Sequence, residues 1–292
     1  FSTFSGLLGV VRFAFSAYTW IRRELSSKAK SAIPRIERFI NEGNAKLVTL
    51  HGIVKTAPKI HVSNRIELDG QTRKLASDIR ARLVLNEAHA VVPDWDGSDV
   101  DPIRALSCDF AELKAMREVA KTRNRPPPRP LSANAILVSP STRTLYLHRR
   151  DIKSETYKSV THTFGGAYKP PLKVDPFDIP GDRDSLDFTM VREVFEESGI
   201  LVRHFAEPIC KSEEVDTGFI QFVYLGVRLD KNQAVIVNDE GVADPILFDE
   251  LEKRLGQKER WVPSGRAHVL LWLALGAPGA GMFARFNGKR PV

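Results

Sequence analysis

The sequence predicts an α/β domain over residues 131–292, preceded by a smaller α+β region over 1–122. Three observations carry this. Arg123 to Pro130 reads R-N-R-P-P-P-R-P, and its prolines force extended backbone that cannot continue a helix. Beyond it, apolar strand-like runs alternate with helical ones: Ala133 to Val138, Thr144 to Arg150, a helix within Asp182 to Leu201, Phe219 to Leu229 and Gly265 to Leu275. That alternation marks α/β architecture. Before it, shorter and less regular segments of both kinds occur. The 123–130 stretch is a stiff linker, or alternatively a proline-rich ligand for another protein. The 292 residues, 42% hydrophobic and 27% charged, suffice for one large or two medium globular domains.

Taken in order, the chain opens with an apolar run, Phe4 to Ile21, interrupted by Ser5, Arg12, Ser16 and Thr19 and followed by Arg22, Arg23, Lys28 and Lys30. Arg12 near its centre opposes bilayer insertion by about 2.5 to 3.5 kcal/mol. No basic segment precedes the run and no small-residue cleavage site follows it, which argues against a signal peptide. A packing or oligomerisation helix, a helix contacting a membrane surface and a cleaved segment all remain open. Ala32 to Ile40 is helical in pattern, Lys46 to Val54 and Ile60 to Leu68 alternate like strands, and Asp69-Gly70 is a turn. Gln71 to Ala90 reads as one helix with Leu75, Ile79, Leu83 and Val84 inward. Asp94 to Asp101 is an acidic loop, and Phe110 to Lys121 is helical. His51, His61 and His89 show no ligand spacing.

Charge is unevenly placed. Residues 1–130 hold 22 Lys and Arg against 14 Asp and Glu, and the remainder 21 against 22, although the whole chain is +7. The basic half is either a solvated face or a surface for an anionic partner; nucleic acid is not favoured. Two cysteines, Cys108 and Cys210, are too few for a disulfide scaffold and form no paired metal spacing. They suit a reducing, cytoplasmic setting.

Beyond the linker, Ser139 to Thr142 is a turn between the first two strands, the second of which ends in Arg149-Arg150. Thr161 to Phe164 leads into Gly165-Gly166, whose backbone can approach a phosphate or metal closely. Pro170, Pro171, Pro176, Pro180 and Gly181 make the next stretch a loop. Asp184 or Ser185 can cap the helix that follows, and Gly199 can end it in a left-handed conformation. Leu186, Met190 and Val194 give it a buried face. Glu193, Glu196 and Glu197 fall at i, i+3 and i+4, where each like-charged pair costs roughly 0.2 to 0.5 kcal/mol, and the helix dipole adds to the cost at this end. Either they form a solvated acidic face, with Arg192 paired to Glu196, or they await a hard divalent cation.

The run Arg192-Glu193-Val194-Phe195-Glu196-Glu197-Ser198-Gly199-Ile200 resembles the second half of the Nudix box, R-E-U-x-E-E-x-G-U with U aliphatic, at every defined position. In the first half Asp184 stands where that family has Glu. The family's glycines match Gly165-Gly166 only with an insertion from Ala167 to about Gly181. The resemblance implies a Nudix-type α/β/α sandwich with a mixed sheet. It further implies a pyrophosphohydrolase that uses Mg²⁺ or Mn²⁺ to cleave a phosphoanhydride bond in a nucleoside diphosphate linked to another moiety. Glu196, Glu197 and the Gly166 carbonyl would bind metal, and Glu193 would bind metal or serve as base. Arg192 would orient a glutamate, with Asp184 an outer candidate, while Arg149, Arg150 and Gly165 would meet substrate. A further acid is expected from a loop after the box, with Glu213, Glu214, Asp239 and Glu240 as candidates. No proline or tyrosine near Val215 to Gly218 marks a substrate class. Trp261 and Trp272 either stack a base or pack the core. A nucleotide-sensing module without turnover is the alternative, and many Nudix enzymes are homodimers.

Overall fold

A computed structural model describes residues 24–41, 45–98, 101–152, 157–170, 182, 184–202, 208–230, 233 and 241–280. The apolar run Phe4 to Ile21, most of the proline-rich insertion, and Asp239 and Glu240 lie outside the described residues. Among the described residues no helix is long and apolar enough to cross a membrane.

Strand alternation builds two cores from one sheet. Along β5 (Leu131–Ser139), Leu131, Ala133, Ala135 and Leu137 enter one apolar cluster, while Ile136 and Val138 enter a second on the opposite face. β10 (Ile220–Arg228) repeats the division, with Ile220, Phe222 and Tyr224 on the first side and Val223 and Leu225 on the other. Both strands are therefore buried nearly throughout, as strands covered on both faces are.

The large sheet runs β1 (Val48–Val54), β9 (Ile209–Glu214), β10, β5, β6 (Thr144–Arg150) and β11 (Gly241–Leu247). β7 (Thr161–His162) pairs with β6 and β8 (Phe164–Ala167) with β5. β5 and β10 are parallel and the other pairs antiparallel, so the sheet is mixed. One face carries α4 (Leu186–Ser198) beside a second sheet of three strands, β2 (Ile60–Arg65), β4 (Ile103–Asp109) and β3 (Ala88–Val91). The other carries α1 (residues 24–40), α5 (Leu251–Leu255) and α6 (Pro263–Ala274). The layering is α/β/α with a mixed sheet, as expected.

The N-terminal part is tied closely to the rest. β1 is the edge strand of the large sheet, pairing with β9. α3 (Phe110–Thr122) packs on the small sheet and α2 (Gly70–Arg80) packs on α3, and Arg117 of α3 donates to the Thr217 carbonyl at 2.9 Å. The 123–130 stretch runs alongside: the Val92 N–H donates to the Arg129 carbonyl at 2.9 Å, and Arg129 pairs with Glu213 at 3.1 Å.

Two readings of the sequence need correction. The helix expected over 71–90 ends at Arg80. Arg82 and Leu83 close its last turn with short-range bonds to Ile79 and Arg80, and residues 88–91 leave to pair with β4, so Val84 is exposed rather than inward. Glu213 and Glu214, expected in a loop, belong to strand β9. The apolar residues Ile209 and Cys210 open that strand, but lysine and glutamate follow, which hides its pattern.

Candidate active site

α4 is set by its two ends and its apolar face. Ser185 accepts the Phe188 N–H at 3.0 Å, and Gly199 closes the helix at φ 70°, a conformation that favours glycine. Leu186, Met190 and Val194 are wholly buried against the sheet. That docking fixes the rotation of the helix and brings its charged flank against β8.

Arg192, Glu193, Glu196, Glu197, Gly165 and Gly166 meet there. Arg192 Nη2 donates to Glu193 Oε1 at 2.5 Å and to the Ala167 carbonyl at 3.3 Å, while its Nε lies 3.6 Å from Glu196 Oε1. One guanidinium thus spans two of the three carboxylates, relieving part of their repulsion. Glu193 is buried and packed so tightly on Gly166 that any Cβ there would collide with Glu193 Oε2. Burial pushes its carboxyl up to about 7; Arg192 opposes the rise, and Glu196 and Glu197 add to it.

Glu197 points to a different set of partners. Its Oε2 accepts the Gly165 N–H at 2.7 Å, and its Oε1 lies 3.0 Å from His148 Nδ1. Gly165 has φ 135°, and a Cβ there would strike the backbone of Ala133 and Asn134, so only glycine lets β8 approach β5 this closely. Gly165 was expected against substrate, but its N–H is committed to Glu197. It holds the glutamate instead.

Other expected residues are not brought to this flank. Arg149 is exposed, turned by strand alternation away from the side on which His148 meets Glu197. Arg150 acts on Glu214, Tyr157 and His162, whose titration its charge perturbs. Asp184 is exposed in the turn before α4, where it is near enough to raise Tyr168. Glu213 pairs with Arg129 and His51. Glu214 is buried in a separate polar group, accepting Ser264 and Thr217 hydroxyls at 2.6 Å each; His162 Nε2 joins that group 3.1 Å from Ser264. Burial raises Glu214 and lowers His162 to about 3. His148 is the site residue that sequence reasoning missed, since nothing local marks it.

The acidic donors on this flank are carboxylates, the hard oxygens that Mg²⁺ and Mn²⁺ take. Burial that keeps Glu193 partly protonated is a cost that a bound cation removes, so the chemistry fits such an ion. Among the described residues, however, no three His, Cys, Asp or Glu side chains are already gathered to hold one. Water and backbone oxygens would have to complete its shell, as is usual for Mg²⁺.

No family model matches the chain, and no curated protein matches it. Solved structures do. The chain is similar in structure to Nudix hydrolases. The MutT protein from Methanosarcina mazei Go1 matches at 20% identity over 49% of this chain and 92% of that one, with a TM-score of 0.33. A bifunctional NMN adenylyltransferase/ADP ribose pyrophosphatase from Francisella tularensis matches at 13% identity over 55% of this chain and 45% of that one, with a TM-score of 0.39. A Nudix hydrolase from Nitrosomonas europaea matches at 15% identity over 49% and 88%, with a TM-score of 0.33. Likenesses this distant add nothing to what the residues of α4 and β8 argue.

Proposed function

We propose that the chain is a Nudix-type pyrophosphohydrolase, cleaving a phosphoanhydride bond in a nucleoside diphosphate linked to another moiety with the help of Mg²⁺ or Mn²⁺. The observation that carries this reading is the seating of the Arg192-to-Glu197 turn of α4 on Gly165-Gly166. In this reading Glu196, Glu197 and the Gly166 carbonyl hold the cation. A bound divalent ion supplies neutralisation of charge on the phosphate oxygens and a more acidic water.

The protein's own part is positioning and proton transfer. Glu193, buried against Gly166, takes a proton from the attacking water. Arg192 does not touch substrate; its 2.5 Å contact with Glu193 orients that base.

The test is phosphate release from a panel of nucleoside diphosphate compounds, read through a coupled phosphatase, with Mg²⁺, Mn²⁺ or chelator. Metal-dependent release that is lost in Glu197→Gln establishes hydrolysis and names the substrate class. Silence across the panel, with nucleotide binding still seen as a thermal shift, transfers the reading to a sensing module that signals through the basic N-terminal region.

A further inference from the structure

His148 lies where a sheet should carry an apolar side chain. It sits on β6 after Leu145 and Leu147, which are wholly buried in the α1/α5/α6 core, and strand alternation turns His148 to the α4 side with Tyr146. Its side chain is 6% exposed. Burying a polar ring without compensation costs about 1 to 3 kcal/mol, and an apolar residue would pack this position at no such cost. The ring stacks on Phe164 with centroids 5.7 Å apart and planes 14° from parallel. On its far edge Nε2 abuts Gly241, where a Cβ would collide with it. The imidazole is thus clamped between an aromatic face and bare backbone. Its remaining nitrogen, Nδ1, is directed at Glu197 Oε1. A carboxylate oxygen accepts only, so the ring carries its proton on Nδ1.

Each oxygen of Glu197 therefore has its own polar partner: the Gly165 N–H hydrogen-bonded to Oε2, and His148 Nδ1 3.0 Å from Oε1. Together they fix the carboxylate's plane and leave one lone pair on each oxygen for another ligand. We propose that His148 is a positioning residue that presets the Glu197 carboxylate for a divalent cation. This rests on the reading of Glu197 as a metal-holding group. Partners that hold a metal-ligating carboxylate are typically worth 10- to 100-fold in metal affinity.

The experiment measures Mn²⁺ binding to the full chain by electron paramagnetic resonance, without substrate, for wild type, His148→Asn, His148→Phe and Glu197→Gln. Circular dichroism confirms folding. Phe keeps the stack on Phe164 without a donor; the Asn amide restores an N–H near the position of Nδ1. The expected result is binding weakened about 10- to 100-fold in H148F, and held within about threefold of wild type in H148N by the retained N–H donor. Should H148F not fold, His148→Leu replaces it, matching Asn in shape without a donor. Wild-type binding in H148F or H148L overturns the inference and leaves the metal reading standing. Equal loss in H148N and the donor-free variant also overturns it, since ring shape alone would then matter. Absence of Mn²⁺ binding in wild type overturns both, and binding retained in E197Q overturns the role of Glu197 in either.

Discussion

Gly166 and Glu193 touch so closely that the glycine's missing side chain is what lets the glutamate sit where it does. The neighbouring Gly165 is needed for a different reason, since a Cβ there meets backbone and φ is 135°. Alanine at the two positions should therefore separate two kinds of damage. In Gly166→Ala the flexible carboxylate moves aside, at a packing cost of about 1 to 3 kcal/mol, and misplacing it lowers kcat/KM about 100-fold. In Gly165→Ala the backbone of β8 cannot comply, and the variant loses more stability than Gly166→Ala does. Thermal denaturation and hydrolysis rates on both proteins check this.

The carboxyl of Glu193 makes a second prediction, in the absence of metal. Burial raises it from 4.5 to about 7. The native state then binds a proton that the unfolded state has released between those values, so this group's contribution to stability falls as pH rises from about 4.5 to about 7. The total is on the order of 3 kcal/mol, taking 1.36 kcal/mol per pH unit. Glu193→Gln removes this loss. In chelator the variant should match wild type near pH 4.5 and exceed it above pH 7, in urea melts at both values. Added Mn²⁺ narrows the difference, because a cation beside Glu193 favours its charged form and offsets part of the burial penalty.

The half of the site that lies on one helix was legible in the sequence, because spacing on a helix is local. Arg192, Glu193, Glu196 and Glu197 must share a flank once α4 forms, and Ser185, Gly199, Leu186, Met190 and Val194 announce that it does. Gly165-Gly166 could be placed despite the insertion, because β8 holds them against β5 wherever the intervening loop goes. His148 could not be found. Its partner lies 49 positions away along the chain, and the contact exists only after β5 has joined β6 to β8. The same reason hides β4 and β9, whose pairing with β2, β3 and β1 supplies what their mixed sequences do not. The tryptophans were open between core and base-stacking roles. Trp272 is wholly buried and donates to the Pro278 carbonyl at 2.8 Å, and Trp261 donates to the Arg254 carbonyl at 2.9 Å, so both belong to the core.

Three buried histidines predict acid lability. Burial is the largest cause in each: His89 falls to about 4, His162 to about 3, and His268 well below its usual range. Arg150 pushes His162 down further, His162 does the same to His268, and the Glu87 charge opposes the shift at His89. All three stay neutral in the folded chain at pH values where the unfolded chain protonates them. The unfolded state therefore binds more protons below pH 6.5, and native stability drops as pH falls from 6.5 towards 4, by about 1.4 kcal/mol per pH unit for each histidine. Raised carboxyls such as Glu193 and Glu214 act in the opposite sense over part of that range, so the net slope is shallower than three protons. His162→Gln isolates one contribution: its amide can still reach Ser264, yet it cannot take up a proton. Urea melts from pH 6.5 to 4 should show the variant's stability falling less steeply than wild type, by close to one proton. An unchanged slope would mean that His162 titrates normally, and that the polar group joining it to Ser264 and Glu214 is open to water.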